Sequence, residues 1–210
     1  MEKRKKRKKR KRQELKKLVQ KSLIREEETK RIQWGAMSSI QEVLMVLGSS
    51  SCGLDENQVR RNRKNYGENE TEEEKKKNRN HFVFFVFHHS FYSVVRKKDD
   101  WIKVPSKDIV VGDIVCLQKG DLVPADLRLI ESDNLKVDQT VFTGKESVVE
   151  KNAGICHLEF NQATDYFNIV LKGTKVVEGS GKAVTLSVGS RTIYGTKEEI
   201  LLSGKKKARI

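Results

Sequence analysis

The stretch VVGDIVCLQKGDLVPADLRLIESDNLKVDQTVFTG, residues 110–144, decides the fold. Apolar and polar residues alternate through it over short runs. The runs are broken at Gly112-Asp113, Gly120-Asp121, Pro124 and Asp133-Asn134. Alternation of period two puts successive side chains on opposite faces of an extended chain, and the breaks are residues that favour turns. Short strands with turns at this spacing predict an all-β barrel or sandwich. After a less regular stretch over 152–168 the pattern resumes in IVLKGTKVVEGSGKAVTLSVG, residues 169–189. That reads as strand, turn, strand, with Glu178-Gly-Ser-Gly as the turn.

Upstream the period changes. Residues 13–33 suggest a basic amphipathic helix, with Leu15, Leu18, Val19, Ser22 and Leu23 near a 3.6-residue repeat. Such a helix can lie on a membrane, bind a calmodulin-like partner, or pack on the neighbouring domain. Residues 37–47 (MSSIQEVLMVL) open on a Ser-Ser cap signal and carry Ile40, Val43, Leu44 and Leu47 at helical spacing, before Gly48 and three serines break the pattern. In GLDENQVRRNRKNYGENE, residues 53–70, Asp55 and Gln58 have capping-box spacing, Val59 and Tyr66 share a face, and Gly67 ends the helix.

Residues 71–80 are polar and read as a linker. The most apolar segment follows, FVFFVF and FYSVV around His88-His89-Ser90. It is shorter than the roughly 20 residues a membrane-crossing helix needs. It reads as a buried strand pair or as a truncated piece of a spanning helix. Neighbouring histidines on a strand face opposite ways and no third ligand is near, so they make no zinc site. The C-terminal EEILLSGKKKARI reads as a helix start and a basic tail.

Charge is concentrated at one end. Residues 3–12 are all Lys or Arg and, with Glu2, supply +9 of the formal +14 in this 210-residue chain. Such a run is expected to be disordered and to suit polyanions, whether acidic lipid or nucleic acid. The β-region lacks the aromatic-and-basic stripe of a nucleic-acid platform, which makes nucleic acid the lesser choice. No apolar stretch backs the N-terminal charge, so no signal peptide is expected. Cys52, Cys116 and Cys156 are far apart, which fits a reducing compartment and excludes a paired zinc motif. Two phosphate-loop near-misses fail on spacing. GSGKA at 179–183 would need glycine at Val176 and a hydroxyl at Ala183, and the Gly144 turn would need glycine at Gln139.

The wording of 110–144 resembles the actuator domain of P-type cation-transporting ATPases. The marks are Gly112-Asp113, Gly120-Asp121, Pro124-Ala125-Asp126 and Val137-Asp138 ahead of Thr143-Gly144. LKGTKVVEGSGKAVTLSVG is similar to the second half of that domain, in wording nearest the plasma-membrane-type calcium pumps. Residues 53–70 resemble their cytoplasmic N-terminal module. The resemblance implies a mainly β fold, a distorted jelly-roll with a small N-terminal helical module and a disordered basic tail. It divides the chain into a basic tail and helix (1–36), the helical module (37–70), a linker with a vestigial membrane segment (71–100), the actuator β-domain (101–203) and a basic tail (204–210).

It also implies a mechanical role. The domain swings against the phosphorylation domain, and a Thr-Gly-Glu-Ser loop meets an aspartyl phosphate, where the glutamate handles the attacking water. The implied site residues are Thr143, Gly144 and Glu146, altered by Lys145. The implied partners are the phosphorylation domain and membrane helices of a full pump, at the cytoplasmic face of a membrane. No cofactor is expected on this chain, since ATP and magnesium belong to the full-length family. The Asp-Lys-Thr-Gly motif is missing, and only about 30 residues separate Glu70 from Trp101. A fragment, a shortened product or a decayed copy is therefore expected, inactive alone. The alternative is a non-enzymatic scaffold that binds acidic lipid, nucleic acid, or a calmodulin-like protein through residues 3–25.

The loop aligns in two ways. Without a gap, Lys145 takes the place of the glutamate, and an exposed lysine ordinarily keeps its proton at neutral pH and is no base. With Lys145 as an insertion, Glu146-Ser147 keep the pair one residue, about 3.5 Å, further along. The other marks have structural jobs: Gly112, Gly120 and Gly144 in turns of positive φ, Pro124 at a strand edge, and Asp113, Asp121, Asp126 and Asp138 accepting backbone hydrogen bonds.

Overall fold

The computed structural model describes residues 22–79, 91–96 and 100–196. The expectations for 3–21, 82–90 and 197–210 lie outside them. Helix α1 covers 22–37. Its packing face is Glu28, Ile32 and Ala36, all buried, while Leu23 at the predicted apolar seam is 49% exposed. The helix thus packs on its neighbour, but through a stripe that includes a charged residue. It also runs past residue 33, because Trp34 and Ala36 extend the contact with the core.

Helix α2 (Ile40–Val46) starts at Ser39, whose hydroxyl accepts from the Glu42 amide while the Glu42 carboxylate accepts from the Ser39 amide. Helix α3 (Glu56–Tyr66) starts the same way on Asp55 and Gln58 and stops at Gly67. The expected polar linker is instead helix α4 (Glu72–Arg79). Thr71 and Glu74 make a third reciprocal cap, which supplies the missing partners of a helix start. Lys172 anchors that helix to the sheet through Glu74 at 3.1 Å.

The sheet is antiparallel in the order β2-β1-β3-β7-β4-β5, with β6 on β4. Its strands are β1 (Phe91–Arg96), β2 (Asp100–Pro105), β3 (Ile114–Gln118), β4 (Asp126–Asp138), β5 (Val148–Glu150), β6 (Ile169–Val170) and β7 (Lys175–Ser187). The mainly β, jelly-roll reading with a small helical module is the fold observed. Pairing begins at Phe91, opposite Pro105, so the sheet includes the end of the apolar segment. Among the described residues no helix is long and apolar enough to cross a membrane.

Two predicted turns are absent. Asp133-Asn134 and Glu178-Gly179 both lie inside the 13-residue strands β4 and β7, at a shift in their register. The bulges face each other. Asn134 has φ 45° and Gly179 has φ 71°. A Cβ on Gly179 would stand 2.3 Å from the carbonyl oxygens of Asp133 and Asn134. Glycine here lets two backbones touch, so the strands continue and twist where a turn signal stands.

The core runs from the sheet (Leu117, Leu127, Leu129, Leu135, Val137, Val184, Leu186) into the helices through Ile32, Ala36, Val43 and Leu47. Gly179→Ala should lower the free energy of unfolding by about 3 kcal/mol or more, since left-handed strain adds to a backbone clash. Gly48→Ala, at φ 62° with nothing within 4 Å, should cost only about 1 kcal/mol. Urea unfolding of both variants checks this, and equal losses would contradict the paired bulges.

Candidate functional site

The loop after β4 is built from local hydrogen bonds. Asp138 ends the strand, and its carboxylate accepts from the Thr140 amide at 2.8 Å and from the Thr140 hydroxyl. Those two bonds hold the carboxyl below its ordinary range. The Gln139 carbonyl accepts from the amides of Phe142 and Thr143 at 2.9 and 3.2 Å, which winds the single turn α5 (Thr140–Thr143). Gly144 closes that turn in the left-handed region, φ 73°, and its amide donates to Thr140. The Thr143 hydroxyl donates to the Lys145 carbonyl at 2.6 Å. The Gln139 amide donates to the Ser147 carbonyl at 2.8 Å and shuts the base of the loop. Then β5 returns along β4, with Val148 opposite Asp138.

Thr143, Gly144, Lys145 and Glu146 are therefore consecutive and exposed at the tip of a closed hairpin loop. Among the described residues neither the Lys145 nor the Glu146 side chain has a hydrogen-bond or ion-pair partner. Phe142 turns back and meets Tyr194 edge to face, with centroids 6.4 Å apart. The arrangement offers one amine and one carboxylate to whatever surface approaches the tip. Among the described residues no cluster of His, Cys, Asp and Glu suits a metal.

The aspartates stand where turn chemistry puts them. Asp113 accepts from the Val110 amide and Asp121 from the Gln118 amide, at 2.9 and 2.8 Å. Gly112 and Gly120 have φ 89° and 98°. Asp126 is fully buried and accepts from the amides of Lys172 and Ile193 at 2.9 and 2.7 Å. Burial pushes its carboxyl up to about 7 against the pull of those amides, and nearby Glu28 adds to the rise.

Several residues of the frame gave no signal in the sequence reading. Glu28, 1% exposed, accepts from the Ser187 hydroxyl at 2.6 Å and from Arg191 at 3.1 Å. Asn69 links the helical module to the sheet, donating to the carbonyls of Ser106 and Pro124 and accepting from the Gly189 amide. Arg128 and Lys151 are buried cations bonded to backbone carbonyls.

Residues 89–200 match the family model of the P-type ATPase actuator domain. This chain belongs to the P-type ATPase actuator-domain family. Residues 36–94 of this actuator chain also match the model of the cation transporter/ATPase N-terminus. Similar proteins include an endoplasmic reticulum-type calcium-transporting ATPase 3 of Arabidopsis thaliana, 42% identical over 47% of this chain and 10% of its own length. A calcium-transporting ATPase of Bacillus subtilis is 34% identical over 53% of this chain and 13% of its own. The P-type magnesium-transporting ATPase 1 of Escherichia coli K12 is 34% identical over 48% and 11%. The actuator chain thus spans about a tenth of the length of these relatives. Their names cover calcium and magnesium alike, and what they share is the P-type cation-transporting ATPase family.

Asp126 gives the actuator a pH signature. Its folded-state value lies above the ordinary 3.8, at about 7. Between those values the folded chain holds a proton that the unfolded chain has released, so stability falls as pH rises through that window. Urea unfolding at pH 5 and 7.5 should show a loss in the wild type that is smaller in Asp126→Asn. An equal loss in both would contradict an uncharged Asp126 at low pH.

Proposed function

We propose that this chain is the actuator part of a P-type calcium pump, and that Thr143, Gly144 and Glu146 form the loop that meets the aspartyl phosphate. The observation that carries the reading is the closed, exposed hairpin loop with Gly144 in the left-handed region and both charged side chains at its tip. Calcium is favoured because two of the similar proteins described above are named as calcium-transporting. The partners are the phosphorylation domain and membrane helices of a whole pump, in which ATP and magnesium would be used. The described part of this chain supplies a lever and a loop.

Lys145 changes what the loop does. Hydrolysis of an aspartyl phosphate needs a group that takes a proton from the attacking water. A carboxylate does this and an ammonium does not. An ammonium at the tip instead attracts the phosphoryl oxygens and leaves the water unactivated. If Glu146 is the base, its backbone stands one residue, about 3.5 Å, along the chain, which is large against the ~1 Å tolerance of catalytic geometry. Both alignments give slow dephosphorylation. The scaffold reading rests on residues 3–25, of which 3–21 lie outside the described residues.

Residues 138–151 should be placed into an intact relative such as the Bacillus subtilis calcium-transporting ATPase. The phosphoenzyme should then decay about 100-fold more slowly or worse. Recovery with Lys145→Glu would mark a replaced glutamate, and recovery on deleting Lys145 would mark an insertion. Normal decay with the unaltered segment would refute the proposal.

A further inference from the structure

The working loop is exposed, yet the residues at its two feet are buried polar groups. Gln139, 3% exposed, stands before α5, and Lys151, 2% exposed, follows β5. Their side chains converge on one acceptor. The Gln139 amide nitrogen donates to the Thr164 carbonyl at 3.2 Å, and the Lys151 ammonium donates to the same oxygen at 3.3 Å. Lys151 donates also to the Tyr166 carbonyl at 2.8 Å. A carbonyl has two lone pairs and accommodates both donors. Burying an amine with backbone carbonyls as its hydrogen-bond partners is costly unless those bonds are kept. The burial lowers the Lys151 amine to about 8, with Asp165 pulling the other way.

Thr164 lies in the short 3₁₀ turn Ala163–Asp165, within the irregular segment 152–168. Arg128 fixes that segment at the carbonyls of Ala153 and Gly154, and the Asn168 side chain fixes Gly154 and Ala36. The chain of contacts runs from the core through 152–168 to one carbonyl, and from that carbonyl to both feet of the loop. Gln139 is used three times: its amide shuts the loop on Ser147, its carbonyl starts α5, and its side chain reaches Thr164. A tilt of the 163–165 turn would therefore carry both feet together.

We infer that Gln139 and Lys151 are positioning residues that set the direction of the Thr143–Glu146 tip by clamping both ends of the loop to the Thr164 carbonyl. The segment 152–168 is then the platform that aims the loop. Its importance for phosphoryl chemistry rests on the function proposed above; the clamp itself does not.

The test is amide hydrogen exchange, read by NMR on the full ¹⁵N-labelled chain. In Gln139→Leu and in Lys151→Met the amides of Phe142, Thr143 and Gly144 should exchange at least tenfold faster, while those of Val184 and Leu186 in β7 keep their wild-type rates. Gln139→Leu leaves Lys151 with both its acceptors, so it decides the matter if Lys151→Met does not fold. Unchanged exchange at 142–144 in a folded variant would overturn the clamp. A uniform rise through β4 and β7 would overturn it too, since that is the mark of general destabilisation. Fast exchange in the variants, together with normal phosphoenzyme decay in the transplant, would keep the clamp and sink the function. The reverse pair of results would do the opposite.

Discussion

The buried guanidinium of Arg128 is the interaction on which the rest of the molecule depends. It sits in the long strand β4, between β7 and β5, with no exposed surface. Nε donates to the Gly35 carbonyl at the end of α1, and the Nη atoms donate to Leu129 in its own strand and to Ala153 and Gly154 in the irregular segment. Those partners are all backbone carbonyls. Burial lowers its pKa to about 10, which still leaves it charged at neutral pH. One side chain thus joins helix α1, the sheet and the platform under the loop. Removing such a group strands several buried carbonyls, at about 1–3 kcal/mol each, so the three parts are expected to hold or fail together.

This arrangement explains how an exposed loop is given a fixed direction. The tip itself makes few contacts, and its order comes from its base. The Gln139–Ser147 bond closes the loop, the Phe142–Tyr194 contact folds one side chain back onto the body, and buried donors at both feet reach Thr164. Glu28 and Asn69 add buried links between the helices and the far end of β7. The joints between the loop, its base and the helices are buried polar contacts in addition to apolar packing. Such contacts have one good geometry, whereas apolar packing tolerates sliding.

What was legible in the sequence was local. The starts of α2 and α3 could be read because a cap and its partner lie three residues apart, and the turn aspartates because their acceptor work is done within their own loops. The wording around Thr143-Gly144 carried the family. The misses were contacts across long separations. Glu178-Gly179 looks like a turn until Asp133 and Asn134 arrive opposite it from more than 40 residues away. Residues 71–80 look like a linker because their composition is polar all round, and the Thr71–Glu74 cap and the Lys172 tie show only in the fold. Arg128, Lys151 and Glu28 are invisible to any pattern that expects charge outside. Their partners are backbone groups and residues supplied by distant segments.

Helix α1 and the sheet are expected to form one cooperative body around Arg128. The chain has two tryptophans, Trp34 in α1 and Trp101 in β2, one on each side of that junction. Urea unfolding of Trp101→Phe, followed by Trp34 fluorescence and by far-ultraviolet circular dichroism on the same sample, reads the helix against the whole. Coincident transitions, with Trp101 behaving likewise in Trp34→Phe, are the result expected of a single two-state body. A Trp34 transition at clearly lower urea than the loss of sheet would contradict it.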